Sequence, residues 1–203
     1  MSKFRRQLMM ASMGEPVPPT PVLPYDAEVE WIKGGVFQTS FVPSGNSVHT
    51  WKYMHLQNLD YSYVFGVTPV ESGKWMVFGG FNNTNTGTQI LYGNSSKYYK
   101  NISLNTIYTG EANFSGSSKI LKLNNSTVIT LSASTITNTY TLKIQLSKNG
   151  NIDWQLWWYK CGSDLDIIPV RVGQEGCLYD KVSGTLIHNT DTNVIPIFGN
   201  DVT

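Results

Sequence analysis

The chain has 203 residues, of which only 14% are charged, and its formal net charge is +1. That balance excludes nucleic acid as a bulk electrostatic partner. No apolar run approaches the roughly 18 residues that a transmembrane helix needs, so no membrane insertion is expected. Asn, Ser, Thr, Gly and Tyr supply the polar content, while 40% hydrophobic and 12% aromatic residues argue against a disordered chain.

Residues 1–13, MSKFRRQLMMASM, contain Lys3, Arg5 and Arg6 and no acid. Phe4, Leu8 and Ala11 recur on one stripe, which predicts a short amphipathic helix. A helix of that length is marginal in water and needs a surface to dock on. Its apolar stretch is too short for a signal-peptide core, so a soluble, unprocessed chain is expected. Residues 14–24, GEPVPPTPVLP, hold five of the nine prolines. Proline fixes φ and removes backbone donors, so this segment reads as an extended spacer. At about 3.1 Å per residue it reaches roughly 34 Å. Residues 1–24 are therefore expected to form an N-terminal arm, and residues 25–203 one domain.

From residue 25 the pattern is β. Strands are predicted at 50–56, 61–67, 75–80, 89–92, 97–100, 118–123, 126–131, 167–171, 175–180 and 185–188, separated by Gly, Asn and Ser turns. Residues 140–160 read as a long hairpin. Leu142, Ile144 and Leu146 alternate with polar residues, Asn149-Gly150 suits a type I′ turn, and Ile152, Trp154, Leu156 and Trp158 return along one face. Many short strands without a helical period predict an all-β sandwich or barrel.

Few residues suggest catalysis. Asp164 and Asp166 are the only closely spaced acids in a strand-like context, at a turn where Asp commonly bonds backbone amides. His49, His55 and His188 fit no metal-ligand spacing and read as surface or half-buried histidines. Asp164, Asp166 and Asp191 could serve calcium, but their spacing singles out no site, so no metal and no cofactor are expected. Cys161 and Cys177 can form one bridge if their strands are neighbours, or remain two buried thiols. Six Asn-x-Ser/Thr triplets begin at Asn82, Asn94, Asn101, Asn113, Asn124 and Asn125, and suit turns as well as glycosylation.

The aromatics are the stronger lead. If Trp154, Leu156 and Trp158 face the core, Trp157 and Tyr159 face outward, and Trp75, Tyr98 and Tyr99 add further aromatic surface. Such platforms stack on sugar rings or anchor protein interfaces. The stretch EGCLYDKVSGTLIHN, residues 175–189, reads as two strands around a turn. Asp180 and Ser183 are placed to bond the turn's amides, and Gly184 to take a positive φ.

The block IIPVRVGQEGCLYDKVSGTLIHN…FGNDV, residues 167–202, resembles the ending of concanavalin A-like (laminin-G-like) β-sandwich proteins of gut Bacteroidetes and their crAss-like phages. The resemblance rests on Pro169, Val170, Arg171, Gly176, Tyr179, Asp180, Ser183, Gly184, Asn189, Gly199 and Asp201. The start, FRRQLMMAS…PYDAEVEWI, is similar to the leader and opening of such phage proteins. The match covers about a third of the chain, and the Glu-x-Asp-x-x-Glu signature of related sandwich hydrolases is absent. The resemblance implies a concanavalin A-like jelly-roll β-sandwich with an extended N-terminal arm, in a virion context and without catalysis.

The expected function is that of a phage virion fibre or decoration protein, located in the virion. Lys3, Phe4, Arg5, Arg6 and Leu8 would anchor the arm on other virion proteins. The sandwich, expected to be a homo-oligomer (a trimer), would meet host glycans through Trp75, Tyr98, Tyr99, Trp157 and Tyr159. A carbohydrate-binding module outside any virion is the alternative, and a hydrolase acting through Asp164 is a third.

Overall fold

The computed structural model describes residues 22–57, 62–67, 73–79 and 87–203. The anchor residues Lys3, Phe4, Arg5, Arg6 and Leu8, most of the proline-rich spacer and the Asn82 triplet lie outside the described residues. The described residues form strands, turns and loops, with no helix among them, and every strand pair is antiparallel. This is the all-β sandwich that the strand pattern predicts.

Strands are numbered in chain order. The larger sheet runs β11 (Ser126–Ser132), β10 (Ser118–Leu123), β9 (Ile107–Asn113), β4 (Val48–His55), β15 (Trp154–Cys161), β16 (Leu165–Val172), β17 (Glu175–Asp180) and β18 (Thr185–Ile187). Short β1 (Ala27–Glu28) joins β16, β2 (Ile32–Lys33) joins β15, and β19 (Ile197–Phe198) joins β2. The smaller sheet runs β3 (Val36–Gln38), β12 (Lys143–Gln145), β5 (Phe65–Val67), β6 (Met76–Phe78), β7 (Thr88–Tyr92) and β8 (Ser95–Tyr99). A separate hairpin pairs β13 (Ser147–Lys148) with β14 (Asn151–Ile152).

The core lies between the two sheets. Phe37, Phe65, Phe78, Ile90, Tyr92 and Ile144 of the smaller sheet meet Trp51, Tyr53, Leu121, Trp154, Leu156 and Ile167 of the larger one. Alternation along β4 is strict: His49, Trp51, Tyr53 and His55 are buried, while the residues between them are half-exposed. Trp51 stands directly across from Gly110 on β9. A Cβ at Gly110 would sit 2.3 Å from the Trp51 ring, so the indole occupies space that only glycine leaves open. At one margin of the sandwich Lys97 of β8 donates to the carbonyl of Thr130 on β11, 3.1 Å away, which ties the two sheets together.

The predicted long hairpin is corrected. Asn149 and Gly150 do take positive φ, 52° and 79°, as a type I′ turn requires. Only the tip of that segment pairs with itself, Ser147 with Ile152 and Lys148 with Asn151. Before the tip β12 belongs to the smaller sheet, and after it β15 belongs to the larger. The turn chemistry specifies a local reversal. The apolar residues on either side are recruited by different layers, so the chain crosses the core instead of folding back on itself.

A second correction concerns β15. Its pairing with β4 shifts between Leu156 and Trp158, a β-bulge with Trp157 as the extra residue. A bulge restarts the two-residue alternation one position later. Trp154 and Leu156 face the core as expected, but so do Tyr159 and Cys161. Trp158 pairs with the outward-facing Lys52 and lies on the outer face.

The closing hairpin forms as read. Asp180 accepts from the amides of Val182 (3.1 Å) and Ser183 (3.2 Å) and from the Ser183 hydroxyl, and Gly184 has φ 71°. Other residues of the C-terminal block also hold the fold together. Arg171 makes a two-pronged contact with Asp201 at 2.8 and 2.7 Å. The Asn189 side chain accepts from the amides of Val36 (2.8 Å) and Asp191 (3.0 Å), and donates to the carbonyls of Asp191 and Val194. It thus joins the start of β3 to the segment after β18.

Candidate functional site

The smaller sheet has one face in the core and one face outward. On β6, Met76 and Phe78 point in, so Trp75 and Val77 point out. On β7, Ile90 and Tyr92 point in, leaving Gln89 and Leu91 on the outer face. Register carries the same face onto β8, where Ser96 lies across from Leu91 and Tyr98 across from Gln89. Together with Tyr63, just before β5, these side chains line an open groove of about 460 Å³. That volume falls in the range of roughly 300–1,000 Å³ typical of small-ligand sites.

The groove lining is aromatic and uncharged: Tyr63, Trp75 and Tyr98 supply rings, Val77 and Leu91 the floor, and Gln89 and Ser96 polar groups. Trp75 is 41% exposed and Tyr98 39%, so a ligand could reach both rings. Gln89, only 9% exposed, lies at the floor of the groove beside the Tyr98 side chain. Rings that stack, beside neutral donors and acceptors, suit the alternating apolar faces and hydroxyls of a sugar.

Two of the five expected contact residues, Trp75 and Tyr98, therefore share one groove, and the other three lie elsewhere. Tyr99, next to Tyr98, is on the opposite face and packs against the core. Tyr159 is wholly buried, where its ring meets Phe65 and His49, so its expected place on the surface is corrected; the bulge at Trp157 is the cause. Trp157 is half-buried on the larger sheet, with the Lys52 ammonium 5.4 Å from its ring centre. Trp158 lines a smaller pocket of about 170 Å³ with Thr50, Thr109, Glu111 and Lys122. Tyr63 and Gln89 were not foreseen. The signal for Gln89 was its place in strand 89–92, one residue before a core-facing isoleucine.

The aspartates singled out from the sequence are engaged within the fold. Asp166 pairs with Lys160 at 2.8 Å, and Asp164 accepts from Ser163 at the adjoining turn. Asp191 accepts from the Ser147 hydroxyl at 2.8 Å. Asp180 lines a cleft of about 320 Å³ between β3 and β18, but its oxygens are committed to turn amides.

His49 and His55 are not surface residues, which corrects that expectation. His49 sits between the hydroxyls of Ser47 (2.7 Å) and Tyr159, an arrangement that suits a neutral ring donating at one nitrogen and accepting at the other. Burial lowers its pKa to about 3. His55 stacks on Trp154 with ring centres 4.0 Å apart, and burial lowers its pKa to about 4. Nearby Asp153 is pushed up to about 6 by burial, with hydrogen bonds from Ser62 and Gln57 acting in the opposite direction.

Cys161 and Cys177 are both buried thiols. Burial pushes Cys161 up to about 11 and, with the Glu175 carboxylate beside it, Cys177 up to about 12. Neither is a thiolate nucleophile near neutral pH. His188, read from the sequence as standing alone, is instead brought to Glu175 and Cys177, and their potential ligand atoms lie within 4.8 Å of one another. The sequence spacing alone does not reveal this grouping, because it depends on the pairing of the two strands.

No protein-family model matches the chain, and no curated protein does. Among solved structures, it is similar to the carbohydrate-binding module CBM66 from Bacillus subtilis. The two share 9% identity with a TM-score of 0.38, over 64% of this chain and 92% of that one.

Proposed function

We propose that the sandwich is a non-catalytic carbohydrate-binding domain whose ligand lies across the groove of Tyr63, Trp75 and Tyr98. The observation that carries this reading is the groove's chemistry: two well-exposed rings and a third beside the Gln89 amide and the Tyr98 hydroxyl, with no carboxylate or histidine lining it among the described residues. Ring stacking would supply the affinity, and Gln89, Ser96 and the Tyr98 hydroxyl would read the hydroxyl pattern. On a glycan array the protein should bind a limited set of sugars. Trp75→Ala and Tyr98→Ala should each weaken that binding at least tenfold, while Tyr159→Phe leaves it unchanged. Binding to no glycan, or binding indifferent to both groove variants, would overturn the reading.

The second part of the proposal places this domain on a phage virion, held by residues 1–24. Its support is the basic, proline-rich leader and the C-terminal resemblance. Removing residues 1–24 should leave a folded, glycan-binding domain that no longer enters particles. Normal incorporation of the shortened chain would sink the virion role while leaving the sugar site standing.

A further inference from the structure

The closing hairpin brings together three ligand types that the sugar-site proposal does not use. Glu175 and Cys177 alternate along β17 and share a face. That face points away from the sandwich core, because Leu178 between Cys177 and Tyr179 is the residue that packs into it. On the neighbouring strand Ile187 pairs with Leu178. The same antiparallel register, carried one residue further, sets His188 opposite Cys177. The turn built by Asp180, Ser183 and Gly184 fixes that register and therefore the meeting of the three side chains.

Two of the three donor separations are close to those of a metal site, and the third lies within 4.8 Å. His188 Nδ1 is 3.6 Å from Cys177 Sγ and 3.0 Å from Glu175 Oε1. Around a tetrahedral zinc with bonds of about 2.0–2.1 Å to nitrogen or oxygen and about 2.3 Å to sulfur, adjacent N and S donors stand about 3.6 Å apart, and N and O about 3.3 Å. Small side-chain adjustments would thus suffice. A relay from cysteine through histidine to glutamate is the competing arrangement, and the geometry is wrong for it. Both partners face the same nitrogen, Nδ1, whereas a relay needs one on each nitrogen.

We propose that Glu175, Cys177 and His188 bind one zinc ion, with a fourth position open to solvent. Glu175 and His188 are exposed while Cys177 is buried beneath them, so the ion would close the top of a half-formed cup. Thiolate, imidazole and carboxylate together favour zinc over calcium or magnesium, which take all-oxygen sets. Binding releases the thiol proton of Cys177 to solvent as the Zn–S bond forms. The ion would link β17 to the segment after β18, at the β18 end of the larger sheet.

The test uses the full chain with no affinity tag, first stripped of metal. Titration with zinc against a chromophoric chelator should show one site per chain, and the melting temperature should rise with zinc concentration. Cobalt(II) should give an intense thiolate-to-metal absorption band. Cys177→Ser should abolish the band, and His188→Ala should weaken zinc binding at least a hundredfold. Glu175→Gln, at an exposed position, keeps the fold and should weaken binding about tenfold. Substoichiometric zinc, or zinc binding and a cobalt band that survive in the Cys177 and His188 variants, would overturn the proposal. Failure of either zinc or glycan binding leaves the other proposal untouched, because no residue is common to the two sites.

Discussion

Gly110 shows how a single missing atom sets the core of the larger sheet. Trp51 is wholly buried and lies against Gly110, and a Cβ there would fall 2.3 and 2.4 Å from two indole carbons. The ring is rigid and has other neighbours to respect: Phe78 and Phe65 meet it with ring centres 4.2 and 4.9 Å away. It cannot swing aside without disturbing the smaller sheet's inner face. Gly110→Ala should therefore destabilise the domain by about 3 kcal/mol, the upper end of ordinary overpacking. The cost should largely vanish when the clash partner is already gone. Trp51→Leu is damaging alone, but adding Gly110→Ala to it should cost under about 1 kcal/mol, a strong coupling in a double-mutant cycle. Urea denaturation of the four proteins measures it, and additive costs would show that the glycine serves something other than the indole.

At the scale of the strands, what was legible was what local chemistry decides. Asn149-Gly150 and the Asp180–Gly184 turn fall where the sequence places them because positive φ and side-chain-to-amide bonds are properties of a few consecutive residues. Alternating strands such as β10 and β17 are legible for the same reason. β9 was missed although it is central, between β10 and β4. Its residues, Ile107-Tyr108-Thr109-Gly110-Glu111-Ala112-Asn113, carry a glycine and an alanine on the buried side, so no apolar alternation shows. Those small residues become intelligible only once Trp51 is known to lie opposite Gly110, and His49 opposite Ala112. The bulge at Trp157 was illegible too, since the run Trp154 to Tyr159 is apolar or aromatic at nearly every position and gives no phase. That one residue moved Tyr159 from the expected binding surface into the core. The Glu175, Cys177 and His188 cluster was half legible: the turn and both strands were read correctly, and only the step from turn to register was lacking.

Across the whole molecule, the buried ionisable groups of the core make stability depend on pH in a calculable direction. His49 and His55 are neutral when folded, with pKa values near 3 and 4, and would titrate near 6.5 unfolded. Below about pH 6.5 the unfolded chain takes up these protons and the folded one does not, so both groups make stability fall as the solution is acidified. Asp153 works the other way. Its folded pKa is about 6 against an ordinary 3.8, so between those values the folded state holds the extra proton, and stability rises on acidification. Around pH 5 the two histidines contribute almost two protons of difference and Asp153 almost one of opposite sign, leaving a net slope of roughly one proton. Asp153→Asn removes the opposing group. Its unfolding free energy, followed between about pH 4.5 and 6 by urea denaturation, should climb with pH more steeply than the wild type's by about 1 kcal/mol per pH unit, while the two slopes converge above pH 7. Other carboxylates titrate alike in both proteins and cancel in the comparison. Equal slopes across the acid range would mean that Asp153 is ionised in the folded core.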